Sequence, residues 1–244
     1  MTSFIQQAMI LAAGFGKRLR PLTDTIPKPL IPINNTTCLD EVIKRLKEMG
    51  VKKIVVNTHH LAPQIHRHLS TYQGILISYE AKILETGGGI AKALPHFGDQ
   101  PFFCINADIW WWDSAELALR KLTKAWDKET MDILLMVTPK KKTIGYQKLG
   151  DYHLAEDYRL NLPYPNTESE YVYSGIQILS STVFYKSALW PNHTAFSLTE
   201  IFSEAEQRKR LYGYVHDGLW ADIGNHQGLE EARKILEQSD IDDL

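Results

Sequence analysis

The chain has 244 residues, of which 44% are hydrophobic, 10% aromatic and 23% charged, with 27 Lys/Arg against 29 Asp/Glu and a net charge of -2. This is the mix of a folded globular protein, which excludes disordered, collagenous and fibrous chains, and the near-neutral charge argues against a general nucleic-acid binder or a membrane-surface protein. Charge is unevenly spread: residues 1–60 hold nine Lys/Arg against four Asp/Glu and residues 61–244 hold 18 against 25, so an anionic ligand is expected near the N-terminus.

Ala8–Ala12 reads as a buried strand, followed by a basic, glycine-rich segment that runs to Ile33. Leu39, Val42, Ile43, Leu46 and Met49 fall on one helical face, which Gly50 closes. Lys53–Asn57 is the next strand, a helix with Pro63 in its first turn follows, and Ile75–Tyr79 is a third strand. A glycine turn leads into a helix near Gly89–Leu94, then comes the strand Pro101–Ala107. A capping box from Asp113 to Glu116 opens a helix reaching about Trp126, and Met131–Thr138 is again a strand. Beyond Pro139 the rhythm breaks: Lys140–Lys142, a polar stretch to Glu170, and Pro163 and Pro165 predict an inserted β-rich or loop region at about 139–171. Val172–Leu179 resumes as a strand and Leu198–Lys209 as a helix. Leu211–Asp217 and Leu219–Ile223 follow as strands and Gln227–Leu236 as a closing helix, with the acidic tail SDIDDL expected to fray. This βαβ alternation predicts an α/β fold, a doubly wound and mostly parallel but mixed sheet in one domain over 1–244.

Two cysteines, Cys38 and Cys104, make neither a disulfide framework nor a cysteine metal knuckle and point to a reducing compartment. The run MILAAGFG is short, its basic residues come after it, and no 18-residue apolar stretch exists, so a cytoplasmic protein without a membrane span is expected.

In the segment LAAGFGKRLRPLTDTIPKPLIPI, Leu11–Ile33, Gly14 and Gly16 allow backbone N–H groups to approach a ligand, and Lys17, Arg18, Arg20 and Lys28 place four cations within twelve residues. Such a loop after a first strand suits a polyphosphate. It lacks the GK-Ser/Thr of a phosphate-binding P-loop, and Leu19 stands where a dinucleotide fingerprint needs its third glycine. Asp108, ending the strand FFCINAD, and Asp222, in LWADIG, are hard oxygen donors suited to Mg²⁺ shared with phosphates. Helix capping for Asp108 and a turn role for Asp222 are the alternatives. His59, His60, His66 and His68 do not form a zinc site, because His66 and His68 face different sides of one helix and no cysteine or carboxylate completes a set.

The Leu11–Ile33 string resembles the signature of the sugar-1-phosphate nucleotidyltransferases. With LETGGGI (Leu84–Ile90), NADIW (Asn106–Trp110), YSGI (Tyr173–Ile176) and LWADIG (Leu219–Gly224), it is most similar to the branch that uridylylates N-acetylmuramate 1-phosphate. The resemblance implies that family's Rossmann-like sheet and transfer of a nucleotidyl group from a nucleoside triphosphate, here UTP, to a sugar 1-phosphate with release of pyrophosphate. It also implies Mg²⁺ on Asp108 and Asp222, Arg18 on the leaving pyrophosphate and Lys28 on the α-phosphate. Ala12, Ala13, Gly14, Gly16, Lys17, Glu85 and Gly88 would contact nucleotide, the glycines at 87–89 forming a turn under the base. Asn106, Asp151 and Ser174 would contact sugar phosphate. Trp110–Trp112 are open to a stacking, core or lid role. Two departures from the pattern stand out: Ala107 replaces a usual glycine, and no EKP-like lysine occurs between Pro139 and Tyr171. Guanylyl transfer to mannose 1-phosphate and a silent nucleotide-sugar-binding subunit are the rival expectations; no obligate protein partner is implied.

Overall fold

The computed structural model describes residues 5–163, 165–189 and 195–242, with the side chains of 239–242 left aside. In chain order its elements begin with β1 (Gln7–Leu11), β2 (Pro32–Ile33), β3 (Thr36–Thr37), α1 (Cys38–Glu48), β4 (Lys53–Thr58), α2 (Ala62–Leu69) and β5 (Ile75–Tyr79). The middle holds α3 (Glu85–Ala93), β6 (Phe102–Asn106), β7 (Ile109–Trp111), α4 (Ala118–Ala125), β8 (Ile133–Pro139), β9 (Thr143–Ile144), β10 (His153–Leu154) and β11 (Leu160–Asn161). Last come β12 (Tyr171–Leu179), α5 (Thr182–Tyr185), α6 (Leu198–Gln207), β13 (Leu211–Val215), β14 (Trp220–Asp222) and α7 (His226–Asp242).

Seven strands form the central sheet in the order β13-β8-β12-β6-β1-β4-β5, and β12 alone runs antiparallel to its neighbours β6 and β8. Alternation within each strand divides the core between the two faces. On β6, Phe103 and Ile105 join Ala8 and Ile10 of β1 under α1, α2 and α4, whereas Phe102 and Cys104 join Met9 under α3 and α6. Each fully buried aromatic or aliphatic side chain of this kind contributes about 1.5–3 kcal/mol. A third cluster holds the basic segment in place: its apolar residues Leu19, Ile31 and Ile33 pack on Ala221 and Ile223 beside β14 and on Leu229 and Ala232 of α7. The loop therefore offers its cations while its apolar side is fixed.

The doubly wound, mixed sheet matches the expected fold class. Two local expectations need correction. The glycines at 87–89 form no turn before a helix; α3 already begins at Glu85, whose φ of 58° makes the sharp entry, and the glycines are its buried first turns. No helix starts at the Asp113 capping box, because Asp113 Oδ1 accepts from Ala118 N at 2.7 Å and caps a helix that begins there. Within the inserted region, β9 joins β14 and β7 in a small three-stranded sheet, and Arg159 bridges to Tyr212 of β13. At the tail α7 continues to Asp242, while Asp243 and Leu244 lie outside the described residues.

Candidate active site

The winding order of the strands reverses at β1, which has β6 on one side and β4 on the other, both parallel to it, so a crevice opens at the carboxyl ends of these strands. Two cavities occupy it. The smaller, about 380 Å³, is walled by Ala12–Phe15 after β1, Ile83, Glu85 and Thr86 at the head of α3, and Asn106–Asp108 after β6. The larger, about 800 Å³, shares Asn106 and Asp108 with it and extends past Asp222 toward the 145–152 segment.

A buried hydrogen-bonded relay joins the two walls of the smaller cavity. Asn57 Oδ1 accepts from Ala12 N at 2.8 Å, Asn57 Nδ2 donates to Glu80 Oε1 at 2.7 Å, and Glu80 Oε2 accepts from Leu84 N at 3.0 Å. Glu80 is fully buried and Asn57 nearly so. Two backbone segments are thereby held at a fixed separation, the arrangement a flat ligand between them requires. Gly89 is obligatory behind this relay, since a Cβ there would lie 2.7 Å from Glu80 Oε1 and 2.8 Å from Asn57 Nδ2.

Four charged side chains meet where the cavities join. Lys28 Nζ donates to Asp108 Oδ2, and Arg18 donates to Asp222 at 2.8 and 3.4 Å. Asp222 lies opposite Ile109 in the β14–β7 ladder, which brings it beside Asp108. Its carboxylate is oriented by Gly224 N at 2.8 Å and Asn225 Nδ2 at 3.1 Å. A Cβ on Gly224 would lie 2.5 Å from both Arg18 Nη2 and Lys28 Nζ and 2.6 Å from Asp222 Oδ1, so the three groups converge on one point. Burial alone would lower the Arg18 pKa, but the hydrogen bond and charge of Asp222 outweigh it and raise the value. Two cations thus stand on two carboxylates, each able to move onto an incoming phosphate oxygen.

Asp151 lines the larger cavity, its carboxylate accepting from Tyr146 OH and from Tyr173 N, each at 3.0 Å. Burial, then the Asp151 charge, push the Tyr146 phenol upward, so it stays a neutral donor. Ser174 turns the other way: it is fully buried and its hydroxyl pairs with Thr138 at 2.8 Å. Gly175, at φ 72°, reaches the cavity in its place, backed on Asn106.

Of the sequence-derived candidates, the structure gathers Ala12, Ala13, Gly14, Arg18, Lys28, Glu85, Asn106, Asp108, Asp151 and Asp222 around the two cavities. Gly16 shapes the loop, with φ 64° and its carbonyl accepting from Thr23 Oγ1 at 2.9 Å, and the exposed Lys17 holds its ammonium 5.7 Å from the Phe15 ring centroid. The amides of Gly87 and Gly88 both donate to Phe196 O, at 3.0 and 3.2 Å, so Gly88 sits behind the wall that Glu85 and Thr86 form. Trp110 and Trp111 are core residues. Sequence reasoning missed Asn57, Glu80, Tyr146, Lys148 and Asn225; Gly224 carried a signal, being the glycine two residues after a candidate ligand.

Known proteins resemble this chain over nearly its whole length. The nucleotidyl transferase family profile matches residues 7–239. The chain is 33% identical over 239 residues to N-acetylmuramate alpha-1-phosphate uridylyltransferase of Caulobacter vibrioides, covering 95% of this chain and 97% of that one. It is 28% identical to D-glycero-alpha-D-manno-heptose 1-phosphate guanylyltransferase of Aneurinibacillus thermoaerophilus, over 95% of this chain and 98% of that one. Among solved structures, UDP-glucose pyrophosphorylase complexed with UDP-glucose superposes with a TM-score of 0.78 at 18% identity, covering 96% of this chain and 99% of that chain, a likeness of fold.

Proposed function

This chain belongs to the nucleotidyl transferase family, and from that premise we propose that it transfers the uridylyl group of UTP to N-acetylmuramate 1-phosphate, giving the UDP-sugar and pyrophosphate. The observation that carries the reading is the meeting of Lys28, Arg18, Asp108 and Asp222 at the junction of two cavities, one walled by backbone and small residues, the other large enough for a substituted sugar.

In this mechanism an oxygen of the sugar phosphate attacks the α-phosphorus of UTP, a P–O bond forms on that face, and the bond to the β-phosphate oxygen breaks on the other, its electron pair leaving with pyrophosphate. The barrier is chiefly the approach of two anions, so fixed positive charge supplies most of the acceleration and no protein nucleophile is needed. Lys28 transfers its hydrogen bond from Asp108 to the α-phosphate and the attacking oxygen. Arg18, the more exposed cation, turns from Asp222 to the departing pyrophosphate. The Asn57–Glu80 relay keeps the walls of the smaller cavity apart for the uracil ring.

Asp108 and Asp222 are the residues that would hold Mg²⁺. Two hard carboxylates suit that ion, which binds through one or two carboxylates and completes its shell with water and substrate phosphate oxygens. No group of three or more His, Cys, Asp or Glu side chains that could hold a metal occurs among the described residues, in keeping with a site completed by substrate. When bound, the ion would neutralise phosphate charge.

The test is pyrophosphate release by the purified chain across a grid of nucleoside triphosphates and sugar 1-phosphates with Mg²⁺. UTP with N-acetylmuramate 1-phosphate should give the highest kcat/KM. A higher value for GTP with a mannose or heptose 1-phosphate would replace the substrate assignment, and no release with any pair would leave a nucleotide-sugar-binding regulator.

A further inference from the structure

The wall of the larger cavity carries five charged side chains: Arg18, Asp108, Lys148, Asp151 and Asp222. Four of them are engaged. Arg18 stands on Asp222, Asp108 holds Lys28, and Asp151 accepts from Tyr146 OH and Tyr173 N. Lys148 is the exception, since none of the hydrogen bonds or ion pairs among the described residues involves it.

The loop around it is nonetheless tied on both sides, by backbone contacts at Gly145, Leu149 and Asp151 and by the Gln147 side chain. The flanking positions are tied at alternate residues: Gly145 O accepts from Asn225 Nδ2 at 3.0 Å, Gln147 Nε2 donates to Gln227 Oε1 at 2.8 Å, Leu149 O accepts from Ser169 N at 2.9 Å, and Asp151 N donates to Tyr171 O at 2.8 Å. Gly145 and Gly150 both have positive φ, 71° and 109°, and pack directly on Gly228 and Ser169, so neither turn accepts a side chain. The ordering cost of this loop is therefore met before any ligand arrives. Gly145 also packs on the Asp222 carbonyl, and the three residues from there to Lys148 span at most about 10 Å of chain. Lys148 thus lines the same cavity as Arg18, Asp108 and Asp222.

Arg18 and Lys28 balance Asp222 and Asp108, which leaves Asp151 as the uncompensated carboxylate of this wall, and an acceptor carrying an anionic group away from its phosphate is favoured there only where a cation without a partner faces that group. A muramate differs from a neutral hexosamine by such a group, the carboxylate of its lactyl ether. We propose that Lys148 receives this carboxylate and is the residue that selects acidic over neutral sugar 1-phosphates, an inference that rests on the reaction assigned above. Lys148 binds the acceptor away from the reacting atoms and is a specificity residue.

The test compares kcat/KM for N-acetylmuramate 1-phosphate with that for N-acetylglucosamine 1-phosphate, UTP and Mg²⁺ being common to both. Wild-type protein should favour the acidic sugar. In Lys148→Met the ratio of the two values should fall roughly 10–100-fold, the loss expected for one charge-assisted hydrogen bond. Lys148→Arg should retain most of the ratio and Lys148→Glu should lower it further. An unchanged ratio in Lys148→Met, or an equal loss with both sugars as a phosphate contact would give, overturns the assignment of Lys148 while leaving the reaction intact. A wild-type preference for the neutral sugar overturns the acceptor assignment and this inference together.

Discussion

Gly224→Ala isolates the electrostatic part of the mechanism, because the new methyl group meets charged side-chain ends rather than packed core. Its Cβ would lie 2.5 Å from Arg18 Nη2, 2.5 Å from Lys28 Nζ and 2.6 Å from Asp222 Oδ1. Ordinary contact needs about 3.4 Å or more, so each group must retreat by roughly 1 Å, and a 1 Å misplacement of a catalytic group costs on the order of 10²-fold in rate. Two displaced cations bring the expected fall in kcat to about 10²–10³-fold, comparable to deleting one transition-state charge contact. Stability should change little, since the clashing atoms are the ends of flexible chains: a cost of about 1 kcal/mol corresponds to a 2–4 °C drop in Tm for a chain of this size. Steady-state pyrophosphate release at saturating substrates reads the first quantity and a thermal melt the second. A kcat within threefold of wild type in a protein that melts normally would refute the convergence of Arg18, Lys28 and Asp222 as the source of catalysis.

Lys28→Ala should lower kcat by roughly 10²–10³-fold with the fold intact by circular dichroism, and an unchanged kcat would remove Lys28 from the mechanism. Chelator should abolish activity and Mg²⁺ restore it, with Asp108→Asn and Asp222→Asn each raising the Mg²⁺ concentration needed for half-activation; full turnover in excess chelator contradicts the assigned ligands. Gly89→Ala should destabilise by about 1–3 kcal/mol, the cost of overpacking, because its Cβ meets the buried Glu80–Asn57 pair. It should also raise KM for the nucleotide more than for the sugar, and equal effects on the two would make the relay merely structural. Burial pushes the His216 imidazole below its ordinary 6.5. The unfolded chain therefore binds the extra proton more readily, and this contribution is complete above pH 6.5 and lost as pH falls below it. Urea unfolding at pH 7.5 and 5.5 should show a drop that His216→Gln reduces.

Long periodic segments and signature motifs were readable in the chain because local rules fix them. The face of α1 follows from helical spacing, and the strand that leads to Asp108, two residues beyond its end, from its apolar run. The glycine-rich loop was legible for the same reason: residues that permit close backbone approach stand beside four cations. What escaped depends on contacts distant in sequence. Glu80 looks like a surface carboxylate until Asn57 and Leu84 close around it, and Ser174 looks available until Thr138 takes its hydroxyl. The glycines at 87–89 suggested a turn because composition favours one, but Phe196 O, more than one hundred residues away, takes two of their amides and needs them helical. Lys148 belongs to no motif; only its place on the cavity wall, without a partner among the described residues, marks it.

The most direct test of the central claim is a phosphorus NMR time course of the purified chain with UTP, N-acetylmuramate 1-phosphate and Mg²⁺. The account predicts that pyrophosphate and a UDP-sugar appear in equal amounts as both substrates disappear. Pyrophosphate without sugar nucleotide, or no change in the two substrates, would contradict it.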